Sequence, residues 1–213
     1  MSWKLFEVLV QAAGTTAVIS LVSISIGLLI GVGVCAATMH HNPAIGRLGR
    51  VYVSFFRGAP LLVQLLLLYN LLPVIGVNLP SVVTAVIGLS LCTGAYQAEN
   101  LRGGVASIPV GLVEAAEMVG FSHWQTFVRI KAPIAISLTL PAIVNEAIMI
   151  LKASSLSSVV GMVELTETAK NIAASTFRPL ESYAAAGLLY LMLNWIVASG
   201  GKLSERLLRA GGT

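Results

Sequence analysis

Residues 114–133 read Glu-Ala-Ala-Glu-Met-Val-Gly-Phe-Ser-His-Trp-Gln-Thr-Phe-Val-Arg-Ile-Lys-Ala-Pro, set between stretches apolar enough to cross a bilayer. Their chemistry predicts a helix, a glycine stop and a second helix. Glu114 and Glu117 fall in an early helical turn, where negative charge suits the macrodipole. Gly120 is the expected stop, because glycine adopts a left-handed conformation without side-chain cost. Ser122 and Gln125 have the spacing of a capping box that starts the second helix. Trp124, Phe127 and Val128 then share one face, with Ile130 alongside. Pro133 stands at the start of the next apolar stretch, where a missing N–H costs little. Such a pair of short helices either packs on its own protein or is offered to a partner's groove; these residues alone leave both open.

The surrounding chain has membrane composition. Its 213 residues are 56% hydrophobic and only 10% charged, with a mean hydropathy of +0.88, which excludes an ordinary soluble domain. Residues 8–39 carry no formal charge and accommodate a helix of roughly 20 residues or more. Gly27, Gly31 and Gly33 mark that helix for close packing. Residues 59–98 form a second charge-free stretch, long enough for two helices with a turn around Pro73, Gly76, Asn78 and Pro80. A fourth span covers residues 132–151, interrupted by Glu146, and a fifth covers residues 182–201. The expectation is an all-α membrane protein, one transmembrane domain over residues 1–213 with about five spanning helices. Residues 153–181 start Ser-rich (Ser154, Ser155, Ser157, Ser158) and pass through an apolar patch into a helix-like piece at 164–174. They read as partly re-entrant or lying on the membrane surface. Cys35 and Cys92 lie in apolar runs and read as packing residues, neither disulfide nor metal pair. No metal site is expected, and the N-terminus lacks the basic start of a cleavable signal.

Five spans put the termini on opposite sides. With the N-terminus outside, the inner segments hold Arg47, Arg50, Arg57, Arg102, Arg129, Lys131, Lys202, Arg206 and Arg209, nine of the 13 Lys and Arg. Lys4, Lys152, Lys170 and Arg178 stay outside or near the outer ends. The positive-inside rule therefore favours N-out and C-in, with residues 114–133 in the cytoplasm. The net charge of +4 follows from this bias and calls for no nucleic acid. His40, His41 and His123 read as solvated or headgroup-level side chains.

Glu114-Ala115-Ala116, Gly120, Ile130 and Pro133 carry the pattern EAA-x3-G-x9-I-x-x-P. This resembles the cytoplasmic EAA loop of permease subunits in ATP-driven (ABC-type) importers. The likeness extends over roughly residues 10–208. Phe55-Phe56-Arg57-Gly58-Ala59-Pro60-Leu61-Leu62-Val63-Gln64 resembles the FRGTPLLVQ signature of polar amino-acid permeases. Gly94-Ala95-Tyr96-Gln97-Ala98-Glu99 with Arg102-Gly103-Gly104 resembles their GAYxAE-x-x-RGG stretch. Asn145-Glu146 and Lys152-Ala153-Ser154-Ser155-Leu156 resemble their NE and KDTSL elements. The chain is similar to the histidine/glutamine/arginine/opine group. It departs from that pattern at Leu112 (commonly Gln), Ala59 (usually Thr) and Ala153 (usually Asp).

The resemblance implies a type I ABC importer permease fold, in a bacterial inner or plasma membrane, importing a polar or basic amino acid. It implies that the loop at about 105–132 docks onto a separate ATPase through Glu114, Ala115, Ala116, Gly120, Trp124, Phe127 and Pro133. The implied partners are a second permease subunit (homo- or heterodimer), two ATP-binding subunits, a periplasmic or lipid-anchored amino-acid-binding protein, and lipid. ATP and Mg would be bound by the partner. The chain itself is expected to be no enzyme: its nearest approach to a Walker A loop, Ile196-Val197-Ala198-Ser199-Gly200-Gly201-Lys202-Leu203, has Ile at the first Gly position and Leu after the Lys.

Ionisable groups within spans are costly and are functional candidates by default. Glu99 reads either as an i,i+3 partner of Arg102 or, with Tyr96 on the same face, as part of an amino-acid site. Glu146 reads either as a structural carboxylate bonded to a neighbouring helix or as a substrate contact. A zwitterion needs an anionic partner for its ammonium and donors for its carboxylate. Glu99 and Glu146 fit the first need, and Arg57, Gln64, Tyr96 and Asn145 the second. A stand-alone ion-coupled transporter or channel is the alternative function, though five spans without an inverted repeat argue against the common carriers. A scaffold subunit with a sealed path is a third, which Glu146 disfavours only mildly.

Overall fold

The computed structural model describes residues 3–210, and side chains as far as residue 207, so the Arg209 side chain lies outside the described residues. The helices in chain order are α1 (Trp3–Thr38), α2 (Pro43–Gly58), α3 (Leu61–Val74), α4 (Ser81–Ala106), α5 (Val110–Met118), α6 (His123–Thr126), α7 (Ala132–Ala153), α8 (Leu165–Thr176) and α9 (Pro179–Ala210). Among the described residues there is no strand. Four helical rods are long and apolar enough to span a membrane: α1, α4, His123–Val160 and α9. Helices α2 and α3, bent by 104° across Ala59 and Pro60, make a fifth if counted as one broken span. The span count matches the sequence reading; its distribution does not.

The difference lies at the second span. Residues 43–58, expected as an inner loop, are helical. Asn42 caps them, its Oδ1 accepting from the Ala44 N–H at 2.9 Å, with Pro43 at the first helical position, where its fixed φ is pre-organised. Pro60 forces Ala59 into extended backbone (φ −90°, ψ 141°) and ends α2. Gln64 then donates through Nε2 to the carbonyls of Phe56 and Ala59, each at 2.9 Å. These are helix-end carbonyls that would otherwise lack partners.

Helices α1 and α4 run parallel and form the main contact of the bundle. A Cβ on Gly27 would stand 2.6 Å from Thr93 Cγ2, and one on Gly31 2.7 Å from Gln97 Cβ. Only glycine permits this approach, as expected for a membrane helix pair. Gly33 takes no part: nothing lies within 4 Å of a Cβ there. Two residues beyond Gly31 is roughly 200° around the helix, on the opposite side. Helix α4 continues eight residues past Ala98, through Glu99 and Arg102 to Ala106. It packs antiparallel to α7, with Gly104 against Thr139 and the Ala135 carbonyl, and Leu89 in one cluster with Ile150. Cys35 and Cys92 are buried and unpaired.

Pro133 does not open a separate helix. Helix α6, a π turn at Phe127–Lys131 and α7 form one rod, with the Ala132 N–H bonding five residues back to the Phe127 carbonyl. A proline inside a helix removes one i−4 bond and crowds that carbonyl; a single wide turn accommodates the defect.

Residues 153–181 form a 3₁₀ segment buried in the bundle and a helix packed against it. A 3₁₀ segment, Ser154–Val160, ends at Gly161 with φ +77°. Helix α8 then runs antiparallel to the first part of α1. The Leu165 N–H donates to Thr16 Oγ1 at 3.0 Å, and Leu165, Ala169 and Ile172 cluster with Leu9, Ala12, Ala13, Ala186 and Leu189. Glu164, fully buried, ties the start of α8 to α9. It accepts from the Thr166 and Glu167 N–H groups, each at 2.9 Å, and from the Tyr190 hydroxyl at 2.7 Å. The starts of α1 and α9 together with α8 therefore extend the bundle at the end opposite residues 114–133.

Candidate functional site

The loop between α4 and α7 is built as its residues dictate. Helix α5 ends in paired bonds, Phe121 N–H to Ala116 carbonyl at 3.0 Å and Gly120 N–H to Glu117 carbonyl at 2.9 Å. Between them Gly120 takes φ +85°, the conformation this helix stop requires. The Gln125 N–H donates to Ser122 Oγ at 3.2 Å and the Ser122 N–H donates to Gln125 Oε1 at 2.9 Å, completing the capping box. Trp124 stacks on Phe127 with ring centroids 6.0 Å apart, and Arg129 covers the Phe121 ring at 5.6 Å. Ala116 is buried, whereas Glu114, Ala115, Pro133 and Phe127 are exposed. Met118 and Trp124 are 89% and 72% exposed, and Val119 also faces out. An apolar surface of this kind, held by caps rather than by burial, suits docking on another protein. Met118 and Val119 were missed in the sequence, although their place just before the Gly120 stop was a usable signal.

Of the candidate polar groups within the spans, Arg57 and Tyr96 meet directly: the guanidinium carbon sits 5.2 Å from the ring centroid. Glu99 pairs with Arg102 one turn away, Arg102 Nε lying 3.2 Å from Glu99 Oε2. Together with Thr38, Arg50, Val53 and Ser54 these two line a cavity of about 330 Å³. Glu146 is buried in α7, and among the described residues no hydrogen bond to its carboxylate is found. Asn145, its chain neighbour, is exposed on a different face. The amide nitrogen of Gln64 is occupied by the α2–α3 break. The structure thus pairs Arg57 with Tyr96 and Glu99 with Arg102, engages the Gln64 amide nitrogen elsewhere, and exposes Asn145.

Two polar features escaped the sequence reading. Ser20 and Ser23 on α1, with Ser90, Thr93 and Gln97 on α4, are buried with unpartnered side-chain atoms. Their helical spacing, three residues on α1 and three then four on α4, was the available signal. Glu164 is the other: the sequence placed a helix start there but offered nothing to show its burial.

Residues 23–210 match the family described as the binding-protein-dependent transport system inner membrane component. The chain belongs to that family. It is 36% identical over 224 aligned residues to the nopaline transport system permease protein NocM of Agrobacterium fabrum, covering 98% of this chain and 93% of that one. It is 31% identical to the glutamine transport system permease protein GlnP of Escherichia coli, covering 92% and 90%. Among solved structures, an amino acid ABC transporter crystallised with histidines superimposes with TM-score 0.88 at 33% identity, covering 95% of this chain and 94% of that one. The MetNI methionine ABC transporter, at 19% identity and TM-score 0.81 over 98% and 99% of the chains, shares the fold. The permease is accordingly an all-α, multi-pass membrane subunit of the type I importer architecture, and non-catalytic.

Proposed function

We propose that the permease carries a polar or basic amino acid, or an opine, inward across a bacterial inner or plasma membrane. Its relatives are named for nopaline, octopine and glutamine transport. Two permease subunits enclose the path, two ATPases holding ATP and Mg dock on the EAA loops, and a binding protein delivers substrate from outside. The N-terminus faces outward and the loop inward. Membership in a binding-protein-dependent family favours this reading over a stand-alone ion-coupled carrier.

One observation carries the mechanism. The exposed Trp124 platform and the buried Glu146 lie on the same helical rod, His123–Val160. A displacement of the platform by the ATPase is therefore a displacement of Glu146 relative to Arg57 and Tyr96 on the neighbouring helices. The substrate ammonium is held by Glu146 and Glu99, and its carboxylate by Arg57.

The test is Glu146→Gln in the reconstituted complex with its ATPase and binding protein. Hydrogen bonds to charged groups contribute about 1.5–3 kcal/mol, so uptake should fall about ten- to hundred-fold at limiting substrate, more for basic than for neutral amino acids. Assembly should be unchanged. A fully assembled variant with wild-type uptake of every substrate would refute the role; loss of thermal stability in its place would make Glu146 structural.

A further inference from the structure

We propose that the turn joining α8 to α9, residues 177–180, is a surface on which the water-soluble substrate-binding protein docks. The inference rests on the outward orientation of the N-terminus given above. Ile19 of α1 clusters with Ala85 and Leu89 of α4, which brings the start of α4 level with Thr16. From Arg102 to Ser81, α4 already traverses about 30 Å, the thickness of a hydrocarbon core. Helix α8 begins beside Thr16 and runs away from α4 for 12 residues, about 18 Å further. The turn therefore stands in water. The free face of α8, with Lys170, Asn171 and Ser175 exposed, is that of a soluble helix.

At this tip Phe177 is 89% exposed and Leu180 83% exposed. Phe177 has φ 55°, the one non-glycine residue in the left-handed region among the described residues. A bulky side chain there is an outlier, and strain of this kind is retained where function requires the side chain. Among the described residues nothing in the packing of α8 or α9 uses the ring, which is 89% exposed. Arg178, its chain neighbour, pairs with Glu181 at 3.4 Å, and Lys170, two turns back on α8, pairs with Glu167 at 3.1 Å. An aromatic and a leucine within a rim of both charges is the composition of a protein-binding hot spot. The family is defined by dependence on a binding protein, and that partner approaches from this side.

The experiment titrates binding protein against ATP hydrolysis by the complete complex in nanodiscs. Phe177→Gly removes the ring while suiting the backbone better than phenylalanine does, so basal hydrolysis and stability should hold. The concentration of binding protein giving half-maximal stimulation should rise about ten-fold or more, and Leu180→Ser should raise it too. An unchanged half-stimulating concentration in both variants overturns the proposal. Phe177→Cys separates the two levels of the argument: failure to react with an impermeant maleimide from outside removes the orientation itself, whereas reaction combined with an unchanged titration removes only the docking surface. Quenching of Phe177→Trp fluorescence by brominated lipid would place the ring in the bilayer and likewise overturn it.

Discussion

Replacing Gly120 with valine separates backbone strain from steric contact. No atom lies within 4 Å of a Cβ built on Gly120, so the new side chain meets no neighbour. The whole cost comes from φ +85°. An L-residue in the left-handed region costs about 1–2 kcal/mol, and a β-branched one lies toward the upper end of the 1–3 kcal/mol typical of such strain. The two bonds that close α5, from Gly120 and Phe121 to Glu117 and Ala116, exist only in that geometry. At about 1.4 kcal/mol per factor of ten, a cost near 2–3 kcal/mol lowers the share of loops holding the native turn some thirty- to hundred-fold relative to opened forms. The spans lie elsewhere in the chain, so membrane insertion should be unaffected. Binding-protein-stimulated ATP hydrolysis and uptake in reconstituted complexes should fall together, in the order Gly, Asn, Ala, Val, because asparagine tolerates this conformation best after glycine. Wild-type stimulated hydrolysis in Gly120→Val would refute the coupling role. Equal impairment by Asn and Val would refute the strain argument while leaving the role intact.

Two stability contrasts test the packing. Gly31→Ala should destabilise by about 1–3 kcal/mol from overpacking, because its Cβ would lie 3.1 Å from the Ala98 nitrogen and 3.2 Å from the Gly94 carbonyl; Gly33→Ala should instead gain roughly 0.5–1 kcal/mol of helix preference. Equal melting temperatures for the two variants in detergent would sink that reading. At the α1–α8–α9 junction, Tyr190→Phe should cost about 1 kcal/mol and Glu164→Ala more, since the latter leaves buried N–H groups unpaired. A double-mutant cycle should show coupling above about 0.5 kcal/mol, and strict additivity would mean that the 2.7 Å bond contributes nothing to stability.

What could be read from the sequence was whatever depends on local chemistry. The Gly120 stop, the Ser122 cap and the long charge-free helices follow from residues within one or two turns of each other, and they appear where expected. The α2–α3 break was harder. Residues 43–58 hold Arg47, Arg50 and Arg57 among apolar residues, which reads as an inner loop when spans are sought by charge-free length alone. Only Gly46, Gly49 and Val53 are buried, with Leu48, Val51 and Phe55 exposed, and the Asn42-Pro43 cap was the local signal for this amphipathic helix. Helix α8 appears where a helix-like piece was expected, but its packing was hidden: its Thr, Lys and Asn content suggests a surface segment, while its buried stripe, Leu165, Ala169 and Ile172, completes a core with residues about 160 positions earlier.

Gln64 shows why the candidate path could be read only in part. Counted by type, it is a donor in a membrane span, and so a partner for a substrate carboxylate. In the fold its amide nitrogen serves Phe56 and Ala59, the carbonyls left open where Pro60 breaks the chain. Arg57 lies between those two residues, in the last turn of α2, where the helix dipole favours a cation. By holding the break, Gln64 fixes where that guanidinium stands relative to Tyr96. Its bearing on substrate is therefore through the position of Arg57. A donor inventory taken from sequence cannot tell a donor already used by the backbone from one still free. For the same reason Glu146, whose carboxylate has no hydrogen bond among the described residues, is the stronger candidate for meeting a transported ammonium than any residue whose polar atoms are already engaged.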